Sequence, residues 1–216
     1  MNISLPDPLI LIPLLLALSL APVVAVMVTC YAKLVVVFSI LRNALGLQQT
    51  PPNMVTNGLA LILTWHVMFP IGHASYEAVT KIDTQDTRAL ATRAIEAGKE
   101  PLRQFLIKHS SEREKTFFVS AAQRQRAVTP DLVPTAEDFS ILVPAFLVSE
   151  LTKAFLIGFL IFLPFIVVDL VIANVLMAMG MQMLSPTVVS LPVKLLLFVL
   201  VDGWSRLSHA LILSYA

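Results

Sequence analysis

The chain has 216 residues, of which 57% are hydrophobic and 13% charged, with a formal net charge of +1 and a mean hydropathy of +0.82. That balance excludes an ordinary soluble domain and points to an integral or membrane-assembled protein. No basic stripe with interleaved aromatics is present, so nucleic acid is not an expected partner, and the single cysteine, Cys30, can form no disulfide within the chain.

The charges are unevenly spread. Residues 74–138 hold ten of the fifteen Lys and Arg and ten of the fourteen Asp and Glu, so a polar insert separates two apolar blocks. This gives three expected units: 1–73 with two apolar spans, 74–138 as a polar helical insert, and 139–216 as a second set of apolar helices.

Residues 9–32 are long enough to cross the roughly 30 Å hydrocarbon layer as one helix. No Lys or Arg precedes Lys33, so the stretch reads as a retained span rather than a cleaved leader. The apolar pattern continues through YAKLVVVFSILRNALG, where Lys33 and Arg42, nine positions apart, fall on opposite helix faces and cannot share a partner. Gly46 and then QQTPPN end the segment, because paired prolines cannot continue a helix and Thr50 or Asn53 can cap the next one. A second span follows from about Met54 to Ile71. It contains Trp65 and His66, and this histidine has no second ligand at metal spacing.

Within the insert, Leu102, Phe105 and Leu106 stand at helical spacing after Pro101, which suits a first helical turn. Ser111-Glu112-Arg113-Glu114 has the form of a capping box before TFFVSAA. The third apolar block opens at Phe139 and is interrupted by Glu150 and Lys153, an i,i+3 pair able to share a helix face. Apolar sequence resumes to Met183, and a last block runs from Val188 to Val201 around Pro192 and Lys194.

Seven charged residues interrupt or border these apolar runs: Lys33, Arg42, Glu150, Lys153, Asp169, Lys194 and Asp202. At a helix centre in lipid each costs about 2.5–3.5 kcal/mol on insertion scales, so they call for partners within the chain or in neighbouring subunits. Glu150 and Lys194 are the expected long-range or intersubunit pair, since no acid lies within four positions of Lys194; Asp202, two turns on, is a looser second partner. Arg42, Lys153 and Asp202 also suit snorkelling to an interface, whereas Asp169 does not.

Four methionines, Met177, Met179, Met181 and Met183, alternate around Gly180. Gly180 and Ser185-Pro186 oppose a continuous helix here and predict a turn. Unbranched, polarizable side chains can form a deformable ring, or can fill gaps in a packed core; both readings stand on the residues alone. Lys33 and Arg42 beside the first short loop orient the N-terminus and the insert outside and the QQTPPN corner in the cytoplasm. No P-loop, HExxH, GxSxG or CxxC occurs, and no enzyme is expected. A proton-coupled small-solute transporter using Asp169 and Glu150 is the alternative from another class, but the two apolar blocks show no self-similarity.

KLVVVFSILRNALGLQQTPPNMVTNGLALILT, PLRQFLIKHSSE, SELTKAFLIGFLIFLPFIVVDLVIANVLMAMGMQMLSP and SLPVKLLLFVLVDGW resemble the core export-apparatus subunit of type III secretion systems. This is the SctR family of injectisomes, with FliP its flagellar counterpart, and the resemblance covers about Val26 to Trp204. The short insert resembles the virulence branch. The resemblance implies an all-α protein of helical hairpins in the bacterial inner membrane, assembling as a ring-like or shallow helical pentamer. It implies SctS-like and SctT-like partners, SctU-like and SctV-like export-gate subunits, and unfolded secreted proteins as cargo, with no cofactor. It also implies much helical mass above the bilayer plane, and a pore gasket formed by Met179, Met181 and Met183. Gln182 interrupts the family's run of three methionines after glycine, which makes the expected seal wetter.

Overall fold

The computed structural model describes residues 8–47, 50–81, 87–125, 135–181 and 183–216; Gln182 lies outside them. The fold is all-helical, with no strand among the described residues. Among the described residues eight helices follow in order: α1 Pro8–Val28, α2 Tyr31–Ala44, α3 Asn53–Thr80, α4 Thr87–His109, α5 Glu112–Gln125, α6 Phe139–Ala178, α7 Pro186–Leu200 and α8 Gly203–Leu213.

The centre of the bundle is α2. Cys30 just before it, then Leu34, Val37, Phe38, Leu41 and Ala44, recur every three or four residues and are buried, the spacing of one helix face. Against them α6 lays Leu142, Ala145, Phe146, Ser149, Glu150, Ala154 and Gly158, all buried. Gly158 sets the closeness of that contact. A Cβ there would stand 2.4 Å from Ile40 Cδ1.

Of the stretch 9–32, α1 takes the part up to Val28; the chain then breaks, and Leu18–Val28 meets Tyr31–Ala44 at 67°. Thr29 accounts for the break locally. Its hydroxyl donates to Ala25 O at 2.8 Å and accepts the Tyr31 N–H at 3.5 Å, so a side chain competes for groups of the helical ladder. The second span also differs, because α3 carries on past Ile71 to Thr80 through Pro70. Only Thr56, Ala60 and Thr64 of α3 are buried, a narrow seam of small residues. Trp65, Phe69 and Tyr76 stand exposed on it.

In the insert Pro101 lies inside α4, not in a first turn. The helix survives the missing N–H because Phe105 and Leu106 anchor the following turn in the core and Leu102 packs against it. Ser111 caps α5 as expected, its Oγ accepting the Glu114 N–H at 3.3 Å. The reciprocal half of the box is replaced: the Ser111 N–H donates to Ser149 Oγ on α6 at 2.9 Å. A local cap has thereby become a tertiary tie.

Glu150 and Lys153 interrupt the apolar run of α6 without breaking its helix, which is 40 residues long. At 1.5 Å per residue it extends about 60 Å, twice the hydrocarbon thickness. A bilayer can therefore hold only part of it. Among the described residues two helices, α3 and α6, are long and apolar enough to span, or up to four spans if each bent pair, α1–α2 and α7–α8, counts as one.

Candidate functional site

Two charge clusters lie between the helices. The first centres on Glu150, which is 1% exposed. Its carboxylate accepts a hydrogen bond from Lys153 Nζ at 2.9 Å and another from the Tyr215 hydroxyl, and it faces Lys33 Nζ at 3.5 Å. Lys33 in turn donates to Ser214 Oγ at 2.9 Å and lies 4.0 Å over the Tyr215 ring. Lys153 reaches the last carbonyl of α4, donating to His109 O at 2.7 Å. One carboxylate thus ties together α2, α6, the end of α4 and the segment after α8.

The surroundings fix the protonation of two members outside the apolar spans. Burial first, and then the adjacent Glu150 carboxylate, push the Tyr215 phenol far above its ordinary range, so it remains a donor. Burial likewise holds the His109 imidazole below its usual value of 6.5. Its ring lies tilted against those of Phe105, with centroids 4.7 Å apart, and Tyr215 at 5.0 Å, which stack on each other at 6.0 Å.

The second cluster bridges α6 and α7. Lys194, buried, donates to Asp169 Oδ2 at 2.6 Å and to Ala44 O at 3.2 Å, so it also caps the C-terminus of α2, where a cation is favoured. Ser190 Oγ donates to Asp169 Oδ1 at 2.6 Å. Both carboxylate oxygens of Asp169 are used.

The expected pairing of Glu150 with Lys194 is therefore not the one formed within the chain. Nineteen residues of α6 separate Glu150 from Asp169, about 28 Å along the helix, and Lys194 sits at the level of Asp169. The i,i+3 pairing of Glu150 with Lys153 is present, as is the separation of Lys33 from Arg42. Arg42 Nη1 donates to Asn53 Oδ1, and its Nε is buried with no partner among the described residues. Asp202 is exposed, at the α7–α8 turn, with φ 52°. It is not a partner of Lys194.

Beyond the Asp169 cluster the α6–α7 hairpin ends in the methionine turn. The α6 helix stops at Ala178, Met179 caps it, and Gly180 takes φ 74°, a conformation open to glycine. Pro186 starts α7 at its first turn. Met177, Met179, Met181 and Met183 are all exposed, Met183 completely. Such a surface is not core filling within this chain.

Sequence reasoning missed Tyr215, Ser214, Ser190 and the His109 carbonyl. Ser190 stood one turn from Lys194 and was open to inference; Tyr215 carried no signal, because only the tertiary fold returns it to Glu150. Among the described residues no group of three or more His, Cys, Asp or Glu is arranged to hold a metal ion.

Long apolar helices, charges neutralised between helices and a large apolar surface left uncovered define an all-helical membrane protein. The chain belongs to the FliP family, whose model matches residues 14–211. It is 49% identical to the Yop proteins translocation protein R of Yersinia pestis over 214 residues, covering 99% of both chains. It is 47% identical to the hypersensitivity response secretion protein HrcR of Ralstonia nicotianae, over 95% of this chain and 96% of the relative. The flagellar biosynthetic protein FliP of Pectobacterium carotovorum subsp. carotovorum is 43% identical, over 94% of this chain and 76% of its own length.

Proposed function

We propose that this chain is the FliP-family subunit of a type III protein secretion export apparatus in the bacterial inner membrane, and that several copies, expected as a pentamer, surround the gated opening of the channel. Partners in this reading are the SctS-like and SctT-like subunits within the same complex, with SctU-like and SctV-like subunits beside it. Unfolded secreted proteins are the cargo. The polar insert, 74–138, lies on the periplasmic side, and the apolar surfaces of 1–73 and 139–216 are covered partly by lipid and partly by neighbours.

The observation that carries this reading is the methionine turn at the tip of a stapled hairpin. Met179, Met181 and Met183 project from a turn whose base is held by Asp169, Ser190 and Lys194. Flexible thioether side chains on a fixed base suit a seal that must close around nothing and then admit chains of varied side-chain size. Several such turns meeting at an axis form a ring that yields without the scaffold unfolding.

The test has two parts. The full chain, extracted gently in detergent alone and with its small membrane partners, is expected to run as a discrete oligomer that takes up further subunits. A monomer that ignores those partners would sink the reading. In assembled complexes, Met181→Ala with Met183→Ala is expected to raise leakage of small ions while leaving the oligomer intact; unchanged permeability would remove the gasket role.

A further inference from the structure

The sharp turn between α7 and α8 leaves a gap beside the apolar cluster of Leu41, Phe165 and Phe198. The two helices meet at 58°, with Val201 ending α7 and Asp202 in the left-handed region, φ 52° and ψ 45°, before Gly203. A Cβ at Gly203 would strike the Phe198 ring, so the corner itself is tight. Because α8 departs there from the line of α7, a cleft of about 320 Å³ stays open between α6, α7 and α8, with the buried Leu41 of α2 at its base.

The wall of the cleft is almost wholly carbon, supplied by Ile161, Phe165, Leu197 and Leu207 among others, and Arg206 is the only charged residue lining it. A wall with so little nitrogen or oxygen is met by the methylene stem of Arg206, which holds the guanidinium at the rim. Arg206 is exposed, and among the described residues no carboxylate lies in ion-pair range of it. Asp202, four positions earlier, is held as the N-cap of α8 and does not pair with it.

Two residues before Arg206, Trp204 packs on Phe38 and Phe198, with ring centroids 6.0 and 5.6 Å away, and remains 36% exposed. Tryptophan next to arginine at the joint of an apolar helix pair is the composition of a bilayer interface. An apolar helix laid in the cleft would cover the carbon wall and leave the guanidinium without an anion. A free phosphate would meet the guanidinium and leave the wall bare. Hydrocarbon with an anionic head satisfies both.

From these features we propose that the cleft holds an acyl chain of an anionic membrane phospholipid, with the phosphate against the Arg206 guanidinium. Phe165 stands one turn before Asp169 and Leu197 one turn after Lys194, so the bound chain packs beside the base of the methionine turn. The inference requires that the chain lie in a bilayer and does not depend on its oligomeric state.

The experiment uses the full chain with Trp65→Phe, which leaves Trp204 the single tryptophan, reconstituted in phosphatidylcholine vesicles. Brominated phosphatidylglycerol or brominated phosphatidylcholine is added in equal fractions, and quenching of Trp204 is read. Phosphatidylglycerol is expected to act at about fivefold lower fraction. Arg206→Gln is expected to remove that preference and Arg206→Lys to keep most of it. Val201→Phe, which narrows the cleft without touching the charge, is expected to weaken quenching by both lipids. Equal quenching by the two lipids, or none by either, would overturn the proposal. So would relief of the quenching by excess inorganic phosphate, which would make the site one for a free anion. In the complex assembled with the small membrane partners, a photo-crosslinking phenylalanine analogue in place of Val201 is expected to capture lipid. Capture of a partner helix there would overturn the proposal and assign the cleft to protein.

Discussion

Lys194 Nζ stands 2.6 Å from Asp169 Oδ2, across a hairpin that places the two residues 25 positions apart in sequence. The bond closes the base of the methionine turn, and its partners are unequally placed: Lys194 is buried, while the Asp169 side chain is 38% exposed. Removing either group therefore has a different consequence. Asp169→Asn leaves a buried ammonium with neutral acceptors, the new amide oxygen and the Ala44 carbonyl, but no counter-charge. Lys194→Met leaves a carboxylate that can still accept from Ser190 and meet water.

Asp169→Asn is accordingly expected to destabilise the chain by about 2–3 kcal/mol, more than Lys194→Met does. Thermal unfolding of the two variants in the same detergent gives the ranking. A larger loss for Lys194→Met would show that the cap on α2, rather than the ion pair, dominates this site.

The Glu150 carboxylate is buried although Lys153 beside it is 43% exposed, which raises the stakes of that single carboxylate. Glu150→Gln leaves Lys33, 2% exposed, without a counter-charge and is expected to cost about 3–5 kcal/mol. Tyr215→Phe removes only one hydrogen bond to the same carboxylate and should cost about 1.5–3 kcal/mol, leaving a folded chain. Yield and unfolding temperature of the two purified variants distinguish them. Equal effects would mean that the phenol, not the ion pairs, holds the end of the chain.

His109 gives the fold a dependence on mild acid. Burial sets its folded pKa below 6.5, the Glu150 carboxylate opposes that shift, and Lys153, Lys108 and Lys33 add to it. Between the lowered folded value and 6.5 the unfolded chain binds more protons than the folded one, so stability rises with pH through that window. The contribution is complete above about pH 6.5 and is lost as pH falls below it. His109→Phe keeps a ring against Phe105 and Tyr215 and should flatten the change in unfolding temperature between about pH 7.5 and about pH 5.5. An unaltered pH profile would place the sensitivity elsewhere.

What could be read from the sequence was local. Gly180 and Ser185-Pro186 marked the methionine turn, Ser111 marked the start of α5, and Glu150 with Lys153 lay within one helical turn of each other. The family resemblance, too, rested on contiguous motifs. What escaped needed the register between helices. No acid lies within four positions of Lys194, so its partner is not legible locally, and the choice of Asp169 over Glu150 depends on how far along α6 the hairpin returns. The break at Thr29 was hidden because the residues around it are uniformly apolar. Pro101 looked like a beginning because core contacts at Phe105 and Leu106, which carry the helix through it, are tertiary.

The contact between α2 and α6 yields the sharpest steric expectation. Gly158 faces Ile40 so closely that an added Cβ would lie 2.4 Å from Cδ1 and 2.9 Å from Cγ2 of that side chain. Alanine is the better helix former, by about 1 kcal/mol, so an exposed glycine replaced in this way would gain stability. Here the crowding is expected to reverse the sign, with Gly158→Ala losing about 1–3 kcal/mol because Ile40 is branched at Cβ and has little freedom to swing away. Ile40→Ala in the same chain opens the space and should restore most of the loss, while Ile40→Ala alone leaves a gap and is itself destabilising. Unfolding of the two single variants and the double in one detergent measures the coupling between the positions. Additive losses would show that α2 and α6 do not approach at this point.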